Sequence, residues 1–168
     1  MTPEQAFDKY HQAVFRFLYR LTRRPDIAED LTQESFLVFL STPGRFDDAR
    51  GTVRTFLFAI ARNLALKQFR DYGAEEQWEE TSDLTCSPDP RPGIEIGTAV
   101  AEAVASLTPL QREAVILFEY EGLTLEEVAA VVAAEVGTVK SRLHRARAIL
   151  KRALAPYRNE GRVVHGTV

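Results

Sequence analysis

The 168-residue chain is 45% hydrophobic with a formal net charge of -3, which leaves room for one domain or two small ones with ordinary cores. Its single cysteine, Cys86, excludes an internal disulfide and a thiolate metal cage. No window nears the roughly 18 apolar residues of a membrane span and the amino terminus lacks a basic-then-apolar signal, so a soluble, unexported, cytoplasmic protein is expected.

Charge divides the chain into three parts. Residues 1–73 carry 11 basic and 9 acidic side chains, residues 74–103 carry 1 and 8, and residues 104–168 carry 9 and 7. The middle segment AEEQWEETSDLTCSPDPRPG combines prolines and acids without apolar periodicity. It reads as an extended acidic linker, residues 74–93, between two units.

Both units read as helical. Alternating strand patterns are absent, and helix starts are frequent: Asp26 with Glu29, Thr108 with Pro109 and Gln111, and Thr124 with Glu127 each offer a cap and a partner three residues on. The spacing predicts helices near 3–22, 26–40, 51–72, 94–106, 109–120, 124–132 and 135–154, an all-α chain.

Along the helix from Asp26, Ile27, Leu31 and Val38 form one apolar stripe, whereas Phe36, Leu37 and Leu40 form a second beside Glu29, Asp30 and Gln33. A surface helix needs only one stripe. The second suits either a partner carrying apolar and basic groups or burial within a small bundle. Next, PGRFDDARGTVRTFLFAIARN places Arg45, Phe46, Arg50, Arg54 and Arg62, with Lys67 beyond, around a Gly-bounded loop. That mixture of aromatics and cations fits an unpaired nucleic-acid strand, although Phe56 and Phe58 read as packing residues.

The last unit carries the sharpest local signal. A short helix from Thr124 to Val132, a turn at Ala133 and Ala134, and a longer helix from Glu135 or Val136 make a helix-turn-helix. Steps of about 100° put Val136, Val139, Leu143, Ala146, Leu150 and Ala153 on one face and Lys140, Ser141, His144 and Arg145 opposite. The first group packs; the second faces bases. Lys151 and Arg152, farther along, suit phosphates, and Arg145 is the best candidate for a bidentate contact to guanine.

Residues 107–150, LTPLQREAVILFEYEGLTLEEVAAVVAAEVGTVKSRLHRARAIL, resemble region 4 of bacterial sigma-70-type sigma factors, particularly the two-domain extracytoplasmic-function (ECF) group. DIAEDLTQESFLVFL at 26–40 and RTFLFAIARNLALKQFR at 54–70 resemble the region 2 helices that grip RNA polymerase and melt the promoter. The resemblance implies a region 2 unit at 1–73, the linker at 74–93, a region 4 unit at 94–155 and a tail at 156–168. It implies core RNA polymerase as partner, through its clamp helices and flap, together with promoter DNA and an anti-sigma factor.

By the same resemblance, Asp30, Gln33, Glu34 and Leu37 face polymerase, and Phe46 and Asn63 hold a flipped minus-ten base beside Arg50, Arg54, Arg62 and Lys67. The duplex set is Thr138, Lys140, Ser141, Arg142, His144, Arg145, Lys151 and Arg152. Three positions depart from the family pattern: Phe56 where many relatives have Trp, Ala59 where they have Arg, and Ala133 where Gly is common. If that last turn needs a left-handed backbone, alanine costs on the order of 1 kcal/mol there.

Enzymatic chemistry has little support. His11, His144 and His165 are scattered, and neither metal-ligand spacing, nor a phosphate-binding Gly loop, nor a nucleophile elbow occurs. The expectation is a non-catalytic subunit without metal or cofactor. Two other readings stay open: a free-standing helix-turn-helix regulator, and an interaction protein that mimics a sigma factor.

Overall fold

The computed structural model describes residues 1–42, 48–49, 51–72 and 95–157. The linker with Trp78 and Cys86, the tail from 158 onward, and Arg45, Phe46 and Arg50 lie outside the described residues. Among the described residues the regular structure is all helical: α1 Pro3–Thr22, α2 Pro25–Ser41, α3 Val53–Asp71, α4 Ile96–Ala105, α5 Pro109–Val115, α6 Leu125–Val131 and α7 Val136–Ala153. A π-helical turn, Ile116–Tyr120, continues α5, and a short 3-10 turn, Ala155–Tyr157, follows α7.

Local chemistry fixes most helix starts. Thr2, Thr52, Thr108 and Thr124 each accept the backbone N–H three residues on, while the side chains of Gln5, Thr55, Gln111 and Glu127 return a bond to the cap residue's own N–H. Such boxes satisfy two otherwise orphaned donors. One start differs from expectation: α2 begins at Pro25 after Arg24, and Asp26 lies inside the first turn. Proline's fixed φ favours the first helical position, and the Asp26 carboxylate instead accepts from Arg24 at 2.9 and 3.2 Å. That hydrogen bond lowers the Asp26 pKa.

The three helices of the first half pack on one another around Phe17, Leu18, Leu21, Leu57, Phe58 and Ala61, all fully buried. Phe17 and Phe58 meet edge to face with centroids 5.4 Å apart. In the second half, Leu123, Val128, Val139 and Leu143 join α6 to α7, and Ile116 and Leu117 complete the layer beneath them. The predicted apolar face of α7 is borne out, with Val139, Leu143 and Ala146 buried. The two helical units pack on each other: α3 lies on α6, α1 on the π turn, and the buried apolar residues form one continuous cluster.

Two positions revise or sharpen the sequence reading. Phe36 is buried and meets Phe7 edge to face at 5.0 Å, so the outward stripe of α2 consists of Leu37 and Leu40. Ala133 has φ 52°, the left-handed conformation in which its Cβ crowds the following carbonyl. Relief of that strain outweighs glycine's extra unfolded-state freedom, so Ala133→Gly is expected to stabilise the fold by about 0.5–1 kcal/mol. A thermal melt checks this; a lower melting temperature rejects strain at the turn.

Candidate nucleic-acid interface

The helix-turn-helix presents its outer face through its own packing. With Val139, Leu143 and Ala146 turned inward, Lys140, Ser141, His144 and Arg145 stand exposed along α7, and Lys151 and Arg152 continue the exposed row. Thr138 is half-buried. The Ser141 hydroxyl donates to the Gly137 carbonyl at 3.1 Å, and Lys140, Ser141, His144 and Arg145 line an open groove shared with Phe118 and Leu125. Chemically, this is a row of cations and hydrogen-bonding groups on a rigid rod with no acidic residue within it.

Not every cation of the stripe points outward. Arg142 turns inward near the fully buried Glu113, and Arg147 pairs with Glu119 at 3.0 Å above the Phe118 ring. Burial pushes the Glu113 carboxyl pKa upward, opposed by Arg62 and then Arg142. Arg62 belongs to α3, and its guanidinium reaches across the halves to Glu113 at 3.0 and 3.3 Å.

The first half divides in the same way. Asn63 and Lys67 are exposed one helical turn apart on α3, with half-buried Phe56 on the same line and packed against Phe39. Arg62 and Arg54 point toward the second half instead. Arg54 donates to the Glu121 carbonyl and lies 3.6 Å from the Glu121 carboxylate, which Arg16 and Arg20 also approach at 3.9 and 3.8 Å. On α2, Asp30, Gln33, Glu34 and Leu37 share one exposed face, and Leu37 is 62% exposed.

Sequence reasoning missed the carboxylates that hold these arginines and the role of Arg112. Arg112 donates to the carbonyls of Leu21 at 2.7 Å, Ala105 at 2.7 Å and Leu107 at 2.9 Å, tying the end of α1 to the start of the second half. Burial, with nearby Arg23, pushes its pKa down to about 10. A faint signal existed: Glu113 stands among apolar residues in PLQREAVILF, where a solvated acid has no reason to be.

The Sigma-70 region 2 profile matches residues 6–75, and the Sigma-70, region 4 profile matches residues 98–150. The chain is 36% identical over 141 residues to the ECF RNA polymerase sigma factor SigC of Mycobacterium tuberculosis, covering 81% of this chain and 74% of the relative. It belongs to the ECF group of the sigma-70 family. The SigE sigma factor of Mycolicibacterium smegmatis is likewise 36% identical, over 88% of this chain, and the match spans 59% of that longer relative.

Among solved structures, the sigma factor RpoE in complex with the anti-sigma factor NepR from Bartonella quintana superposes with a TM-score of 0.72. It is 28% identical and covers 90% of this chain and 96% of its own. The region 4 match includes the exposed Lys140, Ser141, His144 and Arg145 of α7, and the region 2 match includes the α2 and α3 faces. No helix among the described residues is long and apolar enough to cross a membrane, and no cluster of three or more His, Cys, Asp or Glu side chains forms a metal site among them.

Proposed function

We propose that this ECF sigma factor binds core RNA polymerase, directs it to specific promoters and helps open the minus-ten DNA. It acts as a non-catalytic specificity subunit in the cytoplasm. The supporting observation is the pairing of an exposed, acid-free cationic row on α7 with the Asn63 and Lys67 face of α3 in one chain that matches both sigma regions. Duplex reading falls to Lys140, Ser141, His144 and Arg145, with half-buried Thr138 beside them and Lys151 and Arg152 on phosphates, while Arg142, expected from the sequence to join them, turns inward toward Glu113 and is left out of the set. Strand capture falls to Asn63, Lys67 and Phe46, with Arg50, Arg54 and Arg62 neutralising phosphates.

Polymerase docking is assigned to Asp30, Gln33, Glu34 and Leu37. An exposed leucine rimmed by acids suits a partner surface that carries apolar and basic groups. An anti-sigma factor, the partner named for the Bartonella relative, is the further expected partner of this chain. Unit boundaries follow as 1–73, 74–93 and 94–155, with the tail at 156–168.

In vitro transcription with purified core polymerase tests this reading. Promoter-specific RNA is expected only when the chain is added. DNA binding that is strong without core polymerase and yields no core-dependent RNA would favour a free-standing regulator.

A further inference from the structure

We propose that Glu121 is an intramolecular latch that holds the chain in a closed form and withholds the arginines of α3 from nucleic acid. The inference rests on the strand-binding assignment of Arg54 and Arg62. Glu121 sits just past the π turn, in the second half of the chain, yet among the described residues the cations within 4 Å of its carboxylate belong to the first half: Arg54 at 3.6 Å, Arg20 at 3.8 Å and Arg16 at 3.9 Å. Its side chain is only 4% exposed.

The neighbouring backbone makes the same bridge. Arg54 also donates to the Glu121 carbonyl, and the Arg20 guanidinium lies 4.1 Å from the centre of the Tyr120 ring. Local geometry aims these groups. The Glu121 N–H donates to the Ile116 carbonyl five residues back at 3.0 Å, and Gly122 then takes φ 68°, turning the chain toward buried Leu123. The wider turn swings Tyr120 and Glu121 toward α1.

A carboxylate in that place does what a phosphate would do: its charge attracts guanidiniums, here at 3.6–3.9 Å, in a partly desolvated site. Arg62, the other α3 arginine, is held likewise by Glu113. The closed form is therefore occupied by its own acids at the cations that a DNA strand would use.

Geometry also makes this form incompatible with promoter reading. A compact body of this length has a radius of gyration of about 15 Å and spans roughly 40 Å. Two promoter elements about two helical turns apart are separated by roughly 70 Å. With α3 packed directly on α6, the chain must separate its halves before both elements can be read. The stretch between Tyr72 and Glu95, about 22 residues, spans at most ~70 Å, long enough to permit it.

The test uses the full chain, with Glu121→Lys to repel the three arginines and Glu121→Gln to remove the negative charge without adding a cation. Glu119→Lys makes the same charge change at the exposed Glu119–Arg147 pair, outside the bridge between the halves. Small-angle scattering reads expansion, and fluorescence anisotropy with labelled single-stranded dT20 reads access to the α3 cations.

Both Glu121 variants are expected to expand the chain and to bind dT20 about tenfold more tightly at low salt than the parent, with Glu119→Lys changing neither by as much. Circular dichroism reports whether the helices persist, and Glu121→Gln carries the test if the lysine variant unfolds. Unchanged scattering in both Glu121 variants would overturn the latch and leave the strand-binding reading intact. Expansion with no gain in dT20 binding would overturn the gate by removing Arg54 and Arg62 from that reading. An equal gain in Glu119→Lys would reduce the effect to net charge and overturn it as well.

Discussion

Phe58→Ala is expected to destabilise the chain by about 3–5 kcal/mol, the range for removing a buried aromatic and leaving a cavity. The side chain is fully buried, meets Phe17 edge to face at 5.4 Å and lies beneath the Arg54 guanidinium at 5.6 Å. Alanine forfeits the transfer of the ring out of water, the edge-to-face contact and the surface on which Arg54 rests. Against a typical net stability of about 5–15 kcal/mol, this is a large fraction. Urea denaturation followed by helical circular dichroism checks it, with half-buried Phe56→Ala as the milder companion. An unchanged midpoint would mean that Phe58 is free to stack on bases and is not a packing residue.

The second large effect is at the other end of the chain. Arg145→Ala is expected to weaken promoter binding by about 1–3 kcal/mol, roughly fivefold to a hundredfold or slightly more, and to relax discrimination at one base pair. Arg145 is exposed beside Lys140, Ser141 and His144 on α7, and the proposed duplex reading has its guanidinium reach a guanine edge. Lys151→Ala serves as the contrast: a phosphate contact lowers affinity evenly across sequences and reduces the salt slope by about 1. Competition binding with promoter variants separates the two. If Arg145→Ala lowers affinity equally for every sequence, Arg145 contacts phosphate and the base-reading assignment moves elsewhere on α7.

Local signals in the sequence carried far into the fold. Threonine boxes at Thr108 and Thr124 appear where the spacing puts them, and the inward face of α7 follows its period of about 100° per residue. The turn that follows α6 shows the left-handed alanine that the departure from glycine raised as a question. Phe36 was harder to place because a helical wheel cannot give the width of a buried stripe. α2 packs on both α1 and α3, so it needs apolar residues on two flanks, and Phe7 of α1 closes over Phe36.

Of the candidate interface, the outward row of α7 was legible and the cross-chain pairs were not. Arg62 and Glu113 are 51 positions apart, and Arg54 and Glu121 are 67 apart. No periodicity connects such residues; only tertiary folding brings them together. The charged α3 arginines therefore read as strand contacts from their composition, while the structure pairs the same guanidiniums with acids of the second half.

The π turn makes closure adjustable by a very small genetic change. One extra residue is accommodated between Ile116 and Tyr120, which aims Glu121 at Arg16, Arg20 and Arg54, and a single codon changed at position 121 would take the carboxylate off all three. The exposed faces of α2 and α7 would be left as they are. A lineage could thus retune how readily its factor opens without changing either the promoters it reads or the enzyme it serves.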